Sequence, residues 1–102
     1  MQYSSEAASN GGIKYTLSGQ LSAQHHPIFR VLLKELEAAT FSHCTLNLAQ
    51  LEFIDSGGLG MLLLANDMCK KRGSILVLQG ATGNVLKILT LSQFQKIMTM
   101  ID

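Results

Sequence analysis

Charge is scarce in this sequence and nearly balanced. Eight Lys and Arg stand against seven Asp and Glu, so the net charge is +1 and charged residues make up only 15% of the chain. Nucleic-acid binding and attraction to an anionic membrane both need a basic patch or stripe, so neither is expected. Cysteine is equally sparse. Cys44 and Cys69 cannot build a disulfide framework; each lies in an apolar run and reads as a small buried hydrophobe. The longest apolar run, Met61 to Ala65, falls far short of the about 20 residues that span a bilayer. Met1 to Gly12 is polar and lacks the basic start and apolar segment of a secretory signal. A reduced cytoplasmic setting, without direct membrane insertion, is the expectation. There is no internal repeat, low-complexity stretch or linker, so the 102 residues are expected to form one domain, 1–102. With 47% apolar residues, a chain of this size can bury a core without staples.

What is present alternates between strand and helix patterns. Gln2 to Ser5 suits a short edge strand, and Ser9-Asn10-Gly11-Gly12 is a turn signal. Ile13 to Leu17 alternates apolar and polar, as a half-buried strand does, and Gly19 is expected to end it. Pro27, the only proline, fits the first turn of a helix, where its missing N–H costs nothing. Ile28 to Ala39 then places Phe29, Leu32, Leu33 and Leu36 on one face. His43 to Leu48 reads as a strand, and Leu51 to Ile54 leads into a glycine-bearing loop. Leu59 to Arg72 is a second helix, closed by cations at its negative end and by Gly73. Ser74 to Leu78 has little alternation and so belongs inside the sheet. A third helix starts at Thr82 or Asn84 with Val85, Leu86, Ile88 and Leu89 as its apolar set, and a last strand falls within Phe94 to Ile101, with a helical turn before it as an option. This order predicts an α/β fold with a mixed sheet and helical crossovers.

The loop Asp55-Ser56-Gly57-Gly58-Leu59-Gly60 carries the chemistry. Its glycines remove side-chain bulk and permit positive φ. Ser56 falls at or beside the start of the second helix, where serine and aspartate cap orphan N–H groups. A helix start also offers a partial positive charge to an anion. A phosphate on Ser56 would add about −1.5 to −2 charge at pH 7. With Asp55 beside it, that charge would expel a partner docked on this small knob, since an unpaired buried charge costs several kcal/mol.

Phe53-Ile54-Asp55-Ser56-Gly57-Gly58-Leu59-Gly60, followed by an apolar helix ending in Lys-Arg-Gly, resembles the signature of the sulfate-transporter and anti-sigma-factor-antagonist (STAS) domains. Leu17-Ser18-Gly19-Gln20-Leu21, Thr45-Leu46-Asn47-Leu48, Ile75-Leu76-Val77-Leu78, and Val85-Leu86 with Phe94 fall where the family has counterparts, so the resemblance spans nearly the whole chain. It implies a STAS-like mixed β-sheet of four to five strands with helices packed mainly on one face. It also implies a role as an anti-sigma factor antagonist. Such a protein binds an anti-sigma factor that is also a serine kinase, is released when that kinase phosphorylates the loop serine, and is reset by a metal-dependent serine phosphatase. The antagonist itself is not an enzyme and needs no cofactor. Three positions depart from the family. Many members carry a second serine, the acceptor, where this chain has Gly57; Ser56, the only hydroxyl in the loop, is then the expected acceptor, and the other option is a member that is not phosphorylated. Gln20 and Ser22 replace the usual acidic pair. The rival role within the family is a STAS subunit of a membrane transport assembly (ABC or anion transporter), docked constitutively without phosphate.

Other chemistries are poorly supported. The loop lacks the Gly-Lys-Ser/Thr ending of a P-loop. His25, His26 and His43 show no metal-ligand spacing, and a nucleophilic Ser56 would need a base and an orienting group that the sequence does not arrange. The second helix is apolar over more than half of its circumference. Met61, Leu62, Ala65, Met68 and Cys69 cluster on one arc, with Leu59, Leu63 and Leu64 toward its edges. The partner-binding set expected on this basis is Asp55, Ser56, Gly57, Gly58, Leu59, Leu63 and Leu64.

Overall fold

The first strand, β1 (Gln2–Ala7), pairs antiparallel with β2 (Gly12–Leu21), with Gln2 opposite Ser18 and Ala7 opposite Ile13. Between them, Asn10 and Gly11 take positive φ in a single 3-10 turn, as the glycine-rich turn signal requires. The computed structural model describes all residues, 1–102. After β2 the chain repeats one unit. Helix α1 (His26–Ala38) leads to β3 (His43–Ile54), α2 (Ser56–Lys71) to β4 (Ile75–Gln79), and α3 (Gly83–Leu91) to β5 (Thr99–Ile101). The sheet order is β1-β2-β3-β4-β5, with β2 to β5 all parallel. Each crossover steps to the next strand in the same direction. Because parallel crossovers are right-handed, the three helices fall on one face of the sheet.

The alternation in the strands matches that arrangement. Tyr15 and Leu17 of β2, Cys44, Leu46 and Leu48 of β3, and Leu76 and Leu78 of β4 point into the core under the helices, all at most 2% exposed. The residues between them, Lys14 and Thr16, Thr45 and Asn47, and Val77 and Gln79, lie on the uncovered face and are half-buried by their neighbours in register. From the helices, Phe29, Leu32 and Leu36 of α1, Met61, Leu62, Ala65 and Cys69 of α2, and Val85 and Leu89 of α3 complete the core. Both cysteines are buried and free. Of the apolar set expected on the third helix, Leu86 is instead exposed, at 40%.

Several boundaries differ from the sequence expectation. Strand β2 runs past Gly19, which takes φ +82° beside a shift in the β2–β3 register, so a bulge bends the strand instead of ending it. Strand β3 is continuous to Ile54 because its second half pairs with the end of β2 even where β4 has stopped. The last strand is only Thr99–Ile101, preceded by a 3-10 turn at Phe94–Lys96 whose cap Gln93 is left-handed. The ends of β2 and β3 thus lie side by side and carry the start of α2 at one end of the sheet.

Candidate functional site

The segment expected to be a loop is the first turn of α2. Its N-cap is Asp55, in extended conformation, whose carboxylate accepts from the Gly58 N–H at 2.9 Å. Ser56 is therefore not the cap but the first helical residue, and it is exposed. The glycines do not take the positive φ the sequence suggested; none of Gly57, Gly58 and Gly60 is left-handed. Two of them are required by close approach instead. A Cβ on Gly58 would sit 2.2 Å from the Leu21 carbonyl oxygen, and one on Gly57 would sit 2.8 Å from both Cα and Cβ of Ala23. The Leu21 carbonyl also accepts the Asp55 N–H at 3.3 Å. The end of β2 and the 3-10 turn after it, Ala23–His25, therefore grip the start of α2. Gly60 meets nothing within 4 Å and leaves an open saddle.

That turn is itself closed by a box. The Ser22 N–H donates to His25 Nδ1 at 3.1 Å, and the Ser22 hydroxyl lies 2.9 Å from the same nitrogen. Ser22 thus has a local use: it holds the turn that packs against Gly57.

The Ser56 hydroxyl points to solvent without a histidine partner. The serine–histidine contacts in the chain are Ser22 with His25 and Ser42 with His43, and the second pair is at the opposite end of β3. The N–H groups of Ser56 and Gly57, at the helix start, have no backbone acceptor. No three His, Cys, Asp or Glu side chains are grouped to hold a metal ion. No helix is long and apolar enough to cross a membrane.

At about 3.6 residues per turn, Ser56, Gly60, Leu63 and Asp67 form one line along the outer surface of α2. Leu63 is 40% and Leu64 50% exposed, while Leu59 is half-buried. Phe53, just before the helix, is also exposed. Large apolar side chains that the core leaves uncovered thus lie about two turns along α2 from Ser56 and in the strand before it. A compact protein gains nothing from such exposure, and a patch of this kind marks contact surfaces. The expected core arc holds, with Met61, Leu62, Ala65 and Cys69 buried and Met68 partly so. Asn66, expected with Asp67, Lys70 and Lys71 on the polar side of the helix, is instead buried.

A sheet of consecutive parallel strands, covered on one face and presenting a serine on the first turn of its second helix, defines the class to which this protein belongs. The chain is a member of the STAS domain family: the family model described as "Mlab, STAS domain" matches residues 5–101. Among solved structures, the anti-sigma factor antagonist SpoIIAA in its unphosphorylated form is similar at 19% identity and TM-score 0.75, over 99% of this chain and 88% of that one. An anti-sigma factor antagonist from Mycobacterium paratuberculosis is similar at 17% identity and TM-score 0.81, over 98% and 86%. A sulfate transporter family protein from Wolinella succinogenes is similar at 22% identity and TM-score 0.79, over 95% and 81%. No curated protein matches the chain in sequence. At these identities the structural likenesses establish the five-stranded STAS fold.

Proposed function

We propose that this protein is a cytoplasmic bacterial anti-sigma factor antagonist, a non-catalytic binding domain switched by phosphorylation of Ser56. In this reading it binds an anti-sigma factor with serine kinase activity through Asp55, Ser56, Gly57, Leu59, Leu63 and Leu64, while Gly58, expected in the same set, is buried against Leu21 and only seats the helix start. The carrying observation is the placement of Ser56: an exposed hydroxyl on the first turn of α2, in line with exposed Leu63. A kinase can reach it, and a partner seated on the leucines covers it. Phosphate there adds about −1.5 to −2 charge at pH 7 next to the Asp55 carboxylate. A partner that buries this charge without a counter-ion loses several kcal/mol of affinity, enough to dissociate a micromolar complex. A serine phosphatase would restore binding. The similar fold of SpoIIAA, which exists in unphosphorylated and phosphorylated forms, supports this reading.

Intact-mass measurement after incubation with ATP and lysate of the source cell tests it. A single added phosphate that disappears in Ser56→Ala is the expected result. No phosphate, in a lysate that labels a related antagonist, overturns the switch.

A second reading is favoured by one observation. Gly57, at the position where many family members carry the acceptor serine, is packed against Ala23. A chain that has closed this position suits a subunit docked constitutively in a membrane transport assembly, a role in keeping with the sulfate transporter family neighbour. Under that reading, Ser56→Asp leaves complex formation intact; under the switch it weakens it at least tenfold.

A further inference from the structure

The bonding of the first hairpin fixes which way each residue of β1 presents its backbone. The Ala8 N–H donates to the Gly12 carbonyl at 2.9 Å. This pair continues the register that sets Ala7 opposite Ile13. Bonded and unbonded pairs alternate along an antiparallel ladder. Gln2, Ser4 and Glu6 therefore direct their N–H and C=O groups at Ser18, Thr16 and Lys14. Tyr3, Ser5 and Ala7 turn theirs outward, and β1 is the edge of the sheet, so no strand of the chain meets them.

Open edges pair readily, and natural proteins blunt them with lysine, proline, bulges or shortness. The other edge follows that rule, since β5 has only 3 residues. β1 does not. Its 6 residues, Gln2-Tyr3-Ser4-Ser5-Glu6-Ala7, hold no lysine and no proline, and its register with β2 runs without a bulge. Glu6 is its one charge. Tyr3, Ser5 and Ala7 lie on the helix face, opposite Leu17, Tyr15 and Ile13. Tyr3 is held there, its hydroxyl donating to Glu35 of α1. Ser5 and Ala7 are exposed, so the helix layer stops short of them and leaves room beside the strand.

The occupant that fits is the same edge of a second copy. A two-fold axis perpendicular to the sheet keeps the helices of both copies on one face, and it pairs odd positions with odd and even with even. Centred on Ser5, it joins Tyr3 to Ala7, Ser5 to Ser5 and Ala7 to Tyr3 of the other copy, and no outward group of β1 is left over. The side chains agree with this register. The large Tyr3 falls beside the small Ala7, and Glu6 falls beside Ser4, so like charges are not opposed. Centring on Ser4 instead leaves Ala7 without a partner inside β1.

We infer that two copies of this chain pair β1 to β1, antiparallel and centred on Ser5, and join their five-stranded sheets into one. A contact confined to two edge strands is small, so the dimer dissociates on dilution. It leaves the start of α2, carried by β2 and β3, accessible, and it depends neither on Ser56 nor on its phosphorylation.

Sedimentation equilibrium over a dilution series tests it, with amide exchange followed by NMR on the same samples. The expected mass rises from monomer to dimer and stops there. The Tyr3, Ser5 and Ala7 amides should gain protection with concentration, while those of Gln2, Ser4 and Glu6, already bonded to β2, should not change. Ser5→Pro removes the outward N–H at the axis, a loss that an edge strand tolerates. It should give a monomer at every concentration with a melting temperature close to the parent's. Two further variants read the register. Ser5→Lys sets like charges opposite each other and should weaken pairing about threefold or more, whereas Ser4→Lys sets a cation opposite Glu6 and should strengthen it about twofold or more. The inference is overturned if the mass stays that of a monomer, if it grows past a dimer, if the newly protected amides lie outside β1, if Ser5→Pro pairs as well as the parent, or if Ser4→Lys weakens pairing.

Discussion

The guanidinium of Arg72, at the C-cap of α2, donates to the carbonyl oxygen of Leu36 in the last turn of α1 at 2.8 Å. It also reaches the carbonyls of Glu37 and Ala39 and stacks 4.3 Å from the centre of the Phe41 ring. One side chain thereby satisfies carbonyls that a helix end leaves orphaned, and it places a cation at the negative end of the α1 dipole. Arg72→Ala should destabilise the protein by about 1.5–3 kcal/mol, the range for hydrogen bonds to charged groups. Arg72→Lys should recover only part of this, since an ammonium cannot fork across several carbonyls or stack on a ring. Urea unfolding of the two variants checks the order.

The three glycines of the α2 start should respond differently to alanine. Gly60→Ala meets open space and should stabilise by about 0.5–1 kcal/mol, as glycine in a helix does when replaced. Gly57→Ala must displace the Ala23 turn, and Gly58→Ala must displace the Leu21 carbonyl. Overpacking of this kind costs about 1–3 kcal/mol, with Gly58 the worse because the obstacle is a strand carbonyl that also bonds Asp55. Thermal melts of the three variants measure it. Three equal values would show that conformation, not contact, selects these glycines.

Stability should decline in alkali. Burial pushes the Cys44 thiol from 9.0 up to about 12. Burial, with help from the negative charge of Glu35, raises the Tyr15 hydroxyl from 10.0 to about 12. In the unfolded chain these groups lose their protons first, so between about pH 9 and about pH 12 the folded state binds more protons and stability falls with rising pH. Below about pH 9 both states are protonated and these groups add no slope. Urea midpoints measured from about pH 7 to about pH 11 test this. For the same reason native Cys44 should resist thiol reagents at neutral pH.

Leu63→Ser together with Leu64→Ser should separate docking from folding. Both side chains are at least 40% exposed, so the loss of stability should stay well below the about 2–5 kcal/mol of a core leucine truncation. Phosphorylation of Ser56 by lysate should nevertheless slow at least tenfold if the kinase docks on these leucines. Unchanged phosphorylation with unchanged melting would place the docking surface elsewhere.

The elements were legible in the sequence wherever burial has a period. Phe29, Leu32 and Leu36 announced α1, and Cys44, Leu46 and Leu48 announced β3, because each set faces a single layer. The start of α2 was not legible. Gly57 and Gly58 have poor helical propensity and read as loop, yet they lie in the helix that Asp55 caps, and they are glycines because Leu21 and Ala23, distant in sequence, come too close for a side chain. Ser56 was placed within one residue of its true position, but Asp55 took the cap, since its carboxylate is the one that reaches the Gly58 N–H. The Arg72 contacts with α1 could not be read at all. They depend on where two helices end in space, and no periodicity encodes that.

The strand order has a consequence for how the chain folds. Each strand bonds only to strands adjacent to it in sequence, so no sheet contact closes a loop longer than one helical crossover. Each parallel pairing nonetheless waits for a whole helical crossover, as Gly12 with His43 shows, so these steps are slower than closure of the first hairpin. The β1–β2 hairpin can close before α1 is made, and each later helix–strand unit adds to an edge already present. Synthesis from the N-terminus thus delivers the strands in the order in which the sheet accepts them, with β5 the last to join.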